Sequence, residues 1–300
     1  MQPQDRTSTS PEIDIDMNEP LTPTTIQRIF HPTDFSEDSQ VAFAHALKLA
    51  LVHRAELTIM HVDPIVAPDG FEDFPRIRPT LARWGLLPES SSKGDVAQLG
   101  LGVKKIRALA ADAKQAIIHH LTSSPSDLMV LATHQHDGLS RWLHSSVAEP
   151  VSREVRVTTL FVPSHVEGFV SYETGLTSLH RLLLPISSDP PSQPAIDAAC
   201  ALASQLSSPP VTLTLVHAGE EAAIQNLTLP QRAGWSWNQL FGKADPVEWI
   251  LAAGAEFDVD MIVMATKGQD SVLDMLRGST TERVLRGARC PLLAIPASLI

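Results

Sequence analysis

A chain of 300 residues with 43% apolar content can bury one large core or two ordinary ones. Its 23 Lys and Arg against 34 Asp and Glu, a formal charge of -11, argue against a surface that condenses on DNA or anionic lipid, which takes clustered cations. Cys200 and Cys290 stand alone without CxxC spacing, which suggests neither a disulfide framework nor a zinc ribbon. No apolar run approaches the ~20 residues of a membrane span, and the N-terminal stretch is acidic and polar, so the expected compartment is the cytoplasm.

Residues 1–25 carry Asp5, Glu12, Asp14, Asp16 and Glu19 among Pro, Ser and Thr, the composition of a disordered acidic tail. Order is expected from Ile26, where a short apolar strand closes at Pro32 and Asp34. Ser36 is placed to cap a helix whose apolar positions Val41, Phe43, Ala44, Leu47, Ala50 and Leu51 recur at helical spacing. Glu56 to Val62 gives a second strand, apolar almost throughout, as strands covered on both faces are.

Residues 63–98 are rich in Pro, Gly and Ser with scattered aromatics, and a long excursion is expected there. The spacing of Val103, Ile106, Leu109, Ala110, Ala113, Ile117 and Leu121 predicts a helix over Gly102 to Leu121. A strand over Leu128 to Ala132, a helix within Leu139 to Arg153 and a strand over Thr158 to Val162 complete the first unit. This alternation predicts an α/β fold with a doubly wound parallel sheet, because crossovers between parallel strands need helices.

After a polar link the order repeats. Arg181 to Ser187 matches the first strand, Ala195 to Leu206 the first helix, and Val211 to His217 the second strand. The offset is 153 at Asp34/Ser187, 156 at His61/His217 and 133 from Asp127/Asp260 onward, so the second copy is 23 residues shorter in its middle. That deletion falls in the excursion, where length changes cost least. Two tandem domains are therefore expected, at 26–164 and 179–298, joined by a linker at 165–178. Trp235, Trp237 and Trp249 in the second copy read as core or interface.

The best-formed motif is the second copy's Asp260-Met-Ile-Val-Met-Ala-Thr-Lys-Gly268, followed by Arg277-Gly-Ser-Thr-Thr-Glu-Arg283. Gly268 would let backbone approach a phosphate. Gly278, Ser279 and Thr280 can present amide and hydroxyl donors at a helix N-terminus whose dipole favours an anion, and Lys267 and Arg277 could neutralise charge. The same residues also suit turns of positive φ and a helix cap. In the first copy the matching positions are Ala132, Gln135, Ser145 and Ser146, with His134 and His144 in place of the cations.

Ile29-Phe-His-Pro-Thr-Asp-Phe-Ser36, Ala55-Glu-Leu-Thr-Ile-Met-His-Val62 and the paired Ala-Thr loops together resemble the universal stress protein family in its tandem two-domain form. The resemblance implies a five-stranded parallel sheet of order 3-2-1-4-5 in each domain. It also implies pairing of the two last strands across an internal two-fold, so that the chain is a pseudo-dimer; a further homodimer is compatible. Some members bind ATP or AMP and others bind no nucleotide. The family's signature is Gly-x-x-Gly, nine residues, then Gly-Ser or Gly-Thr, with an Asp after the first strand near the adenine and a Val after the second. In the second domain it falls on Ala265, Gly268, Gly278 and Ser279, with Ser187 in place of the Asp and Ala218 in place of the Val. In the first domain Asp34 and Val62 are present and the phosphate loop is degenerate. The second domain is thus the better candidate for an adenine nucleotide with Mg²⁺.

His134, His136 and His144 with Asp137 lack the usual spacing of a metal site and are read as loop residues. No nucleophile elbow, zincin helix or Walker loop is present, so an efficient enzyme is not expected, although slow ATP hydrolysis is compatible with a bound triphosphate and a positioned water. The expected function is a stress-responsive regulator that binds ATP or AMP in domain 2. The alternative is an interaction or small-ligand-carrying module with both nucleotide sites lost. The sequence is silent on protein partners.

Overall fold

The computed structural model describes residues 26–64, 70–133, 157–219, 227–266 and 280–296. In the first half, β1 (Arg28–Pro32), α1 (Glu37–His53) and β2 (Glu56–Asp63) are followed by two short helices, α2 (Ile77–Arg83) and α3 (Lys93–Gln98). Then come β3 (Gly102–Leu109), α4 (Ala113–Ser123), β4 (Leu128–Thr133) and β5 (Thr158–Pro163). The second half comprises β6 (Arg181–Pro185), α5 (Gln193–Leu206), β7 (Val211–Ala218), β8 (Trp235–Gly242), α6 (Pro246–Glu256), β9 (Met261–Thr266), α7 (Thr280–Gly287) and β10 (Leu292–Pro296).

The strands form one sheet of ten in the order β3-β2-β1-β4-β5-β10-β9-β6-β7-β8. Each half reads 3-2-1-4-5 with parallel neighbours, and the halves meet where β5 and β10 run antiparallel, Leu160 opposite Leu293. This is the tandem α/β architecture expected, with the two final strands joined internally. Pairing them also covers two apolar edges that would otherwise invite association. One core lies under α1, α5 and the link between the halves; the other, on the opposite face, lies under α4, α6 and α7.

The halves share their fastenings. The Asp127 carboxylate accepts from the backbone N–H of Gln27 and Arg28, each at 2.8 Å. Its counterpart Asp260 accepts from His180 and Arg181, each at 2.7 Å. An acid at the start of the fourth strand thereby fixes the start of the first, and the register Ile29/Leu128 recurs as Leu182/Met261. Ser36 caps α1 as expected, accepting from the Ser39 N–H.

Two expectations need correction. The helix over Gly102 to Leu121 is a strand as far as Leu109, and the helix begins only at Ala113. β3 is an edge strand with its Lys104 exposed and Lys105 and Arg107 half-buried, so it lacks a clean alternation, and its apolar residues happen to fall at helical intervals. The link after Ser164, read as merely polar, buries Phe169 and Val170 completely against α1. The helix expected within Leu139 to Arg153 lies outside the described residues.

Candidate nucleotide site at the strand ends of the second half

The carboxyl ends of β6, β7 and β9 converge where strand order reverses, the usual place for ligands in an open parallel sheet. Two hydrogen bonds hold the first two ends together: the N–H of Ile186 donates to the carbonyl of Val216 at 2.8 Å, and Nδ1 of His217 lies 2.7 Å from the carbonyl of Ile186. Nδ1 must carry the proton to make that bond. His61 makes the same contact with the Thr33 carbonyl at 2.7 Å in the first half. The paired histidines are thus strand-end clasps.

Beyond β6 the chain turns through Ser187 toward α5. The Ser187 N–H donates to the hydroxyl of buried Ser192 at 2.8 Å, and that hydroxyl donates back to the Ser187 carbonyl at 2.9 Å. The Ser187 hydroxyl donates to the Asp189 carbonyl and accepts from the Asp189 N–H. Ser187 therefore shapes its own loop with its N–H, its carbonyl and its hydroxyl.

A cavity of about 430 Å³ opens at these strand ends, and it brings together Ser187, Ala218, Ala265 and Thr280. Four of the sequence-predicted residues therefore share one hollow, within the ~300–1,000 Å³ typical of small-molecule sites. Ile250 and Met264 give it an apolar wall, and Thr280 and Thr281 of α7 bring hydroxyls to it. Lys267, Gly268, Gly278 and Ser279 lie outside the described residues, as do Gln135, Ser145, Ser146 and the His134, His136 and His144 group.

Two lining residues were not among the site residues expected from the sequence. Asp189 stands two positions after Ser187 and lines the cavity. His217 also lines it, and among the described residues its Nε2 meets no partner. In the first half Nε2 of His61 is engaged by Asp63 at 3.2 Å, and the ring is covered by Phe35, stacked at 4.0 Å. Phe35 is itself edge-on to Phe74 at 5.2 Å, with the Arg107 guanidinium 5.9 Å above it. Phe35 pays for this place with a φ of +64°, a conformation costing a bulky residue about 1–3 kcal/mol that persists because the packing holds it. The repeat offset puts Ser188 where Phe35 stands, so the second half has no such cover. Asp34, meanwhile, accepts from the Ser36 N–H and hydroxyl at 3.0 and 2.6 Å.

Burial pushes the thiols of Cys200 and Cys290 up to about 12, which keeps both protonated and unreactive at neutral pH. Among the described residues, no group of three His, Cys, Asp or Glu could hold a metal ion, and no helix is long and apolar enough to cross a membrane.

The model of the universal stress protein family matches residues 25–163 and 240–296, more than half of the chain, which therefore belongs to that family. The unmatched stretch between them contains β6, α5 and β7, where Ser187 and Ala218 depart from the family pattern. A universal stress protein from Archaeoglobus fulgidus is similar over 90% of this chain and 98% of its own, at 19% identity and a TM-score of 0.55. A functionally unknown protein from Pseudomonas aeruginosa is similar over 90% of this chain and 92% of its own, at 13% identity and a TM-score of 0.56. At these identities the likeness concerns the fold. A universal stress protein in complex with cAMP covers 46% of this chain and 98% of its own, at 19% identity and a TM-score of 0.30. A comparison with curated protein sequences returns no match.

Proposed function

We propose that this universal stress protein is a nucleotide-responsive regulator rather than an enzyme, and that it binds one ATP or AMP in its second half. The observation that carries this reading is the 430 Å³ hollow that gathers Ser187, Ala218, Ala265 and Thr280 at the ends of β6, β7 and β9. The base would lie against Ile250 and Met264 with Asp189 and His217 as its hydrogen-bonding partners, Asp189 standing in for the acid that Ser187 replaces. The phosphates would extend toward Thr280 at the head of α7, where backbone donors and the helix dipole favour an anion, and Mg²⁺ would accompany a triphosphate.

The first half favours no nucleotide, because Phe35 covers His61 at the equivalent corner. The test is to heat-denature the purified chain and assay released adenine nucleotide, then to titrate the nucleotide-free protein calorimetrically with ATP and AMP, each with and without Mg²⁺. Saturable binding at the micromolar level supports the reading. Absence of both released and bound nucleotide overturns it.

A further inference from the structure

A second and larger hollow, of about 580 Å³, lies at the junction of the two halves. Its floor is the paired strands, with Leu160 of β5 and Leu293 and Ile295 of β10, and its walls are Leu49 of α1 and Ala198 and Leu202 of α5. Phe169 of the link closes one side. The residues that make it are thus drawn from both repeats, and neither half contains the cavity alone.

The repeat explains why the hollow is left open. An offset of 153 relates α1 to α5, setting Ser39 with Ser192, Leu49 with Leu202 and His45 with Ala198. On the α1 side the link between the halves packs onto His45, whose Nε2 accepts from the N–H of Phe169 and Val170 at 3.1 and 3.2 Å. The chain runs through that link once, so only one of the two related positions receives it. At the other, the small side chain of Ala198 faces the cavity.

The polar groups define what the cavity can take. His53, at the C-terminal end of α1, lines it, and its Nε2 is buried without a hydrogen-bond partner. Burial lowers the pKa of His53 from its ordinary value, so the ring is neutral at neutral pH. Asp127 is occupied with the N–H groups of Gln27 and Arg28, and Asp197 accepts from Gln193 at 2.8 Å. No Lys or Arg lines the cavity among the described residues. An anionic head would meet two carboxylates and no cation, whereas a hydroxyl can both donate and accept and so satisfies either tautomer of His53.

We propose that the junction cavity binds an uncharged, largely apolar molecule carrying one hydroxyl, such as a medium-chain or isoprenoid alcohol, with the hydroxyl on His53 Nε2 and the hydrocarbon against Leu160, Leu202 and Leu293. The site is distinct from the strand-end hollow and does not depend on nucleotide binding.

The full-length protein is titrated calorimetrically with decanol, decane and decanoic acid below their aggregation limits. Decanol is expected to bind saturably with one site per chain, at least tenfold more tightly than decanoic acid. Ala198→Trp, which fills the hollow from α5, is expected to abolish binding with an unchanged circular dichroism spectrum, and His53→Leu to bring decanol down to the affinity of decane. Absence of saturable decanol binding overturns the proposal, as does binding that survives Ala198→Trp or a preference for decanoic acid. Binding seen only after truncation beyond Pro296 would make the chain's own end the occupant and would equally overturn it.

Discussion

His45 Nε2 accepts the backbone N–H of Phe169 at 3.1 Å, while the two rings meet edge to face at 4.6 Å. Nδ1 lies 2.8 Å from the carbonyl of Val41, so the imidazole must be neutral, with its proton on Nδ1. A helix residue of the first repeat thereby anchors the segment leading into the second. His31, fully buried in β1, is likewise held by Nδ1 against the Val130 carbonyl at 2.9 Å.

This arrangement predicts a pH dependence of stability. Burial lowers the pKa of His31 and of His45 from 6.5 to about 4. Between those values the unfolded chain binds protons that the folded chain refuses, so the stabilisation is complete above pH 6.5 and drains away as pH falls toward 4. Urea denaturation at a series of pH values should show a falling midpoint across that window. His45→Gln should flatten the slope and cost about 1–3 kcal/mol at neutral pH, because two buried N–H groups lose their acceptor.

Gly168 precedes the anchored pair at a φ of +71°, and a Cβ there would lie 2.4 Å from His45 Nε2. Gly85 has nearly the same φ, +72°, but nothing within 4 Å. Gly85→Ala should therefore cost only the backbone strain, about 1–2 kcal/mol. Gly168→Ala should cost clearly more, since the link must also leave His45. Chemical denaturation of the two variants side by side checks the difference.

The junction of β5 and β10 makes the two halves one folding unit, with a core that runs from Ile29 to Ile295 across both. Scanning calorimetry should show a single transition. Leu293→Ala, which opens a buried space opposite Leu160, should lower that transition by about 2–5 kcal/mol without splitting it. Two separated transitions would contradict the shared core.

Much of this architecture was legible in the chain because the repeat exposes it. Asp127 and Asp260, 133 residues apart, mark equivalent strand starts, and both fasten the first strand of their half. The third strand of each half was not identified. β3 and β8 lie at the sheet's two ends with many half-exposed residues, so neither buried-strand composition nor strict alternation marks them. The reading of the site from the repeat and the family resemblance named Ser187, Ala218, Ala265 and Thr280, which line one hollow. It missed Asp189 and the difference between Phe35 and Ser188. The cover that Phe35 forms depends on a positive φ, which is a property of the packed chain and is invisible in residue spacing.

The central claim is that a single nucleotide binds, and that it binds in the second half. Its most direct test is the calorimetric stoichiometry of AMP with the wild-type chain and two matched variants, Ala218→Phe at the end of β7 and Val62→Phe at the end of β2, with folding checked by circular dichroism. The account predicts about one site per chain, lost in Ala218→Phe and retained in Val62→Phe. No binding by the wild type, or binding removed by Val62→Phe and spared by Ala218→Phe, would contradict it.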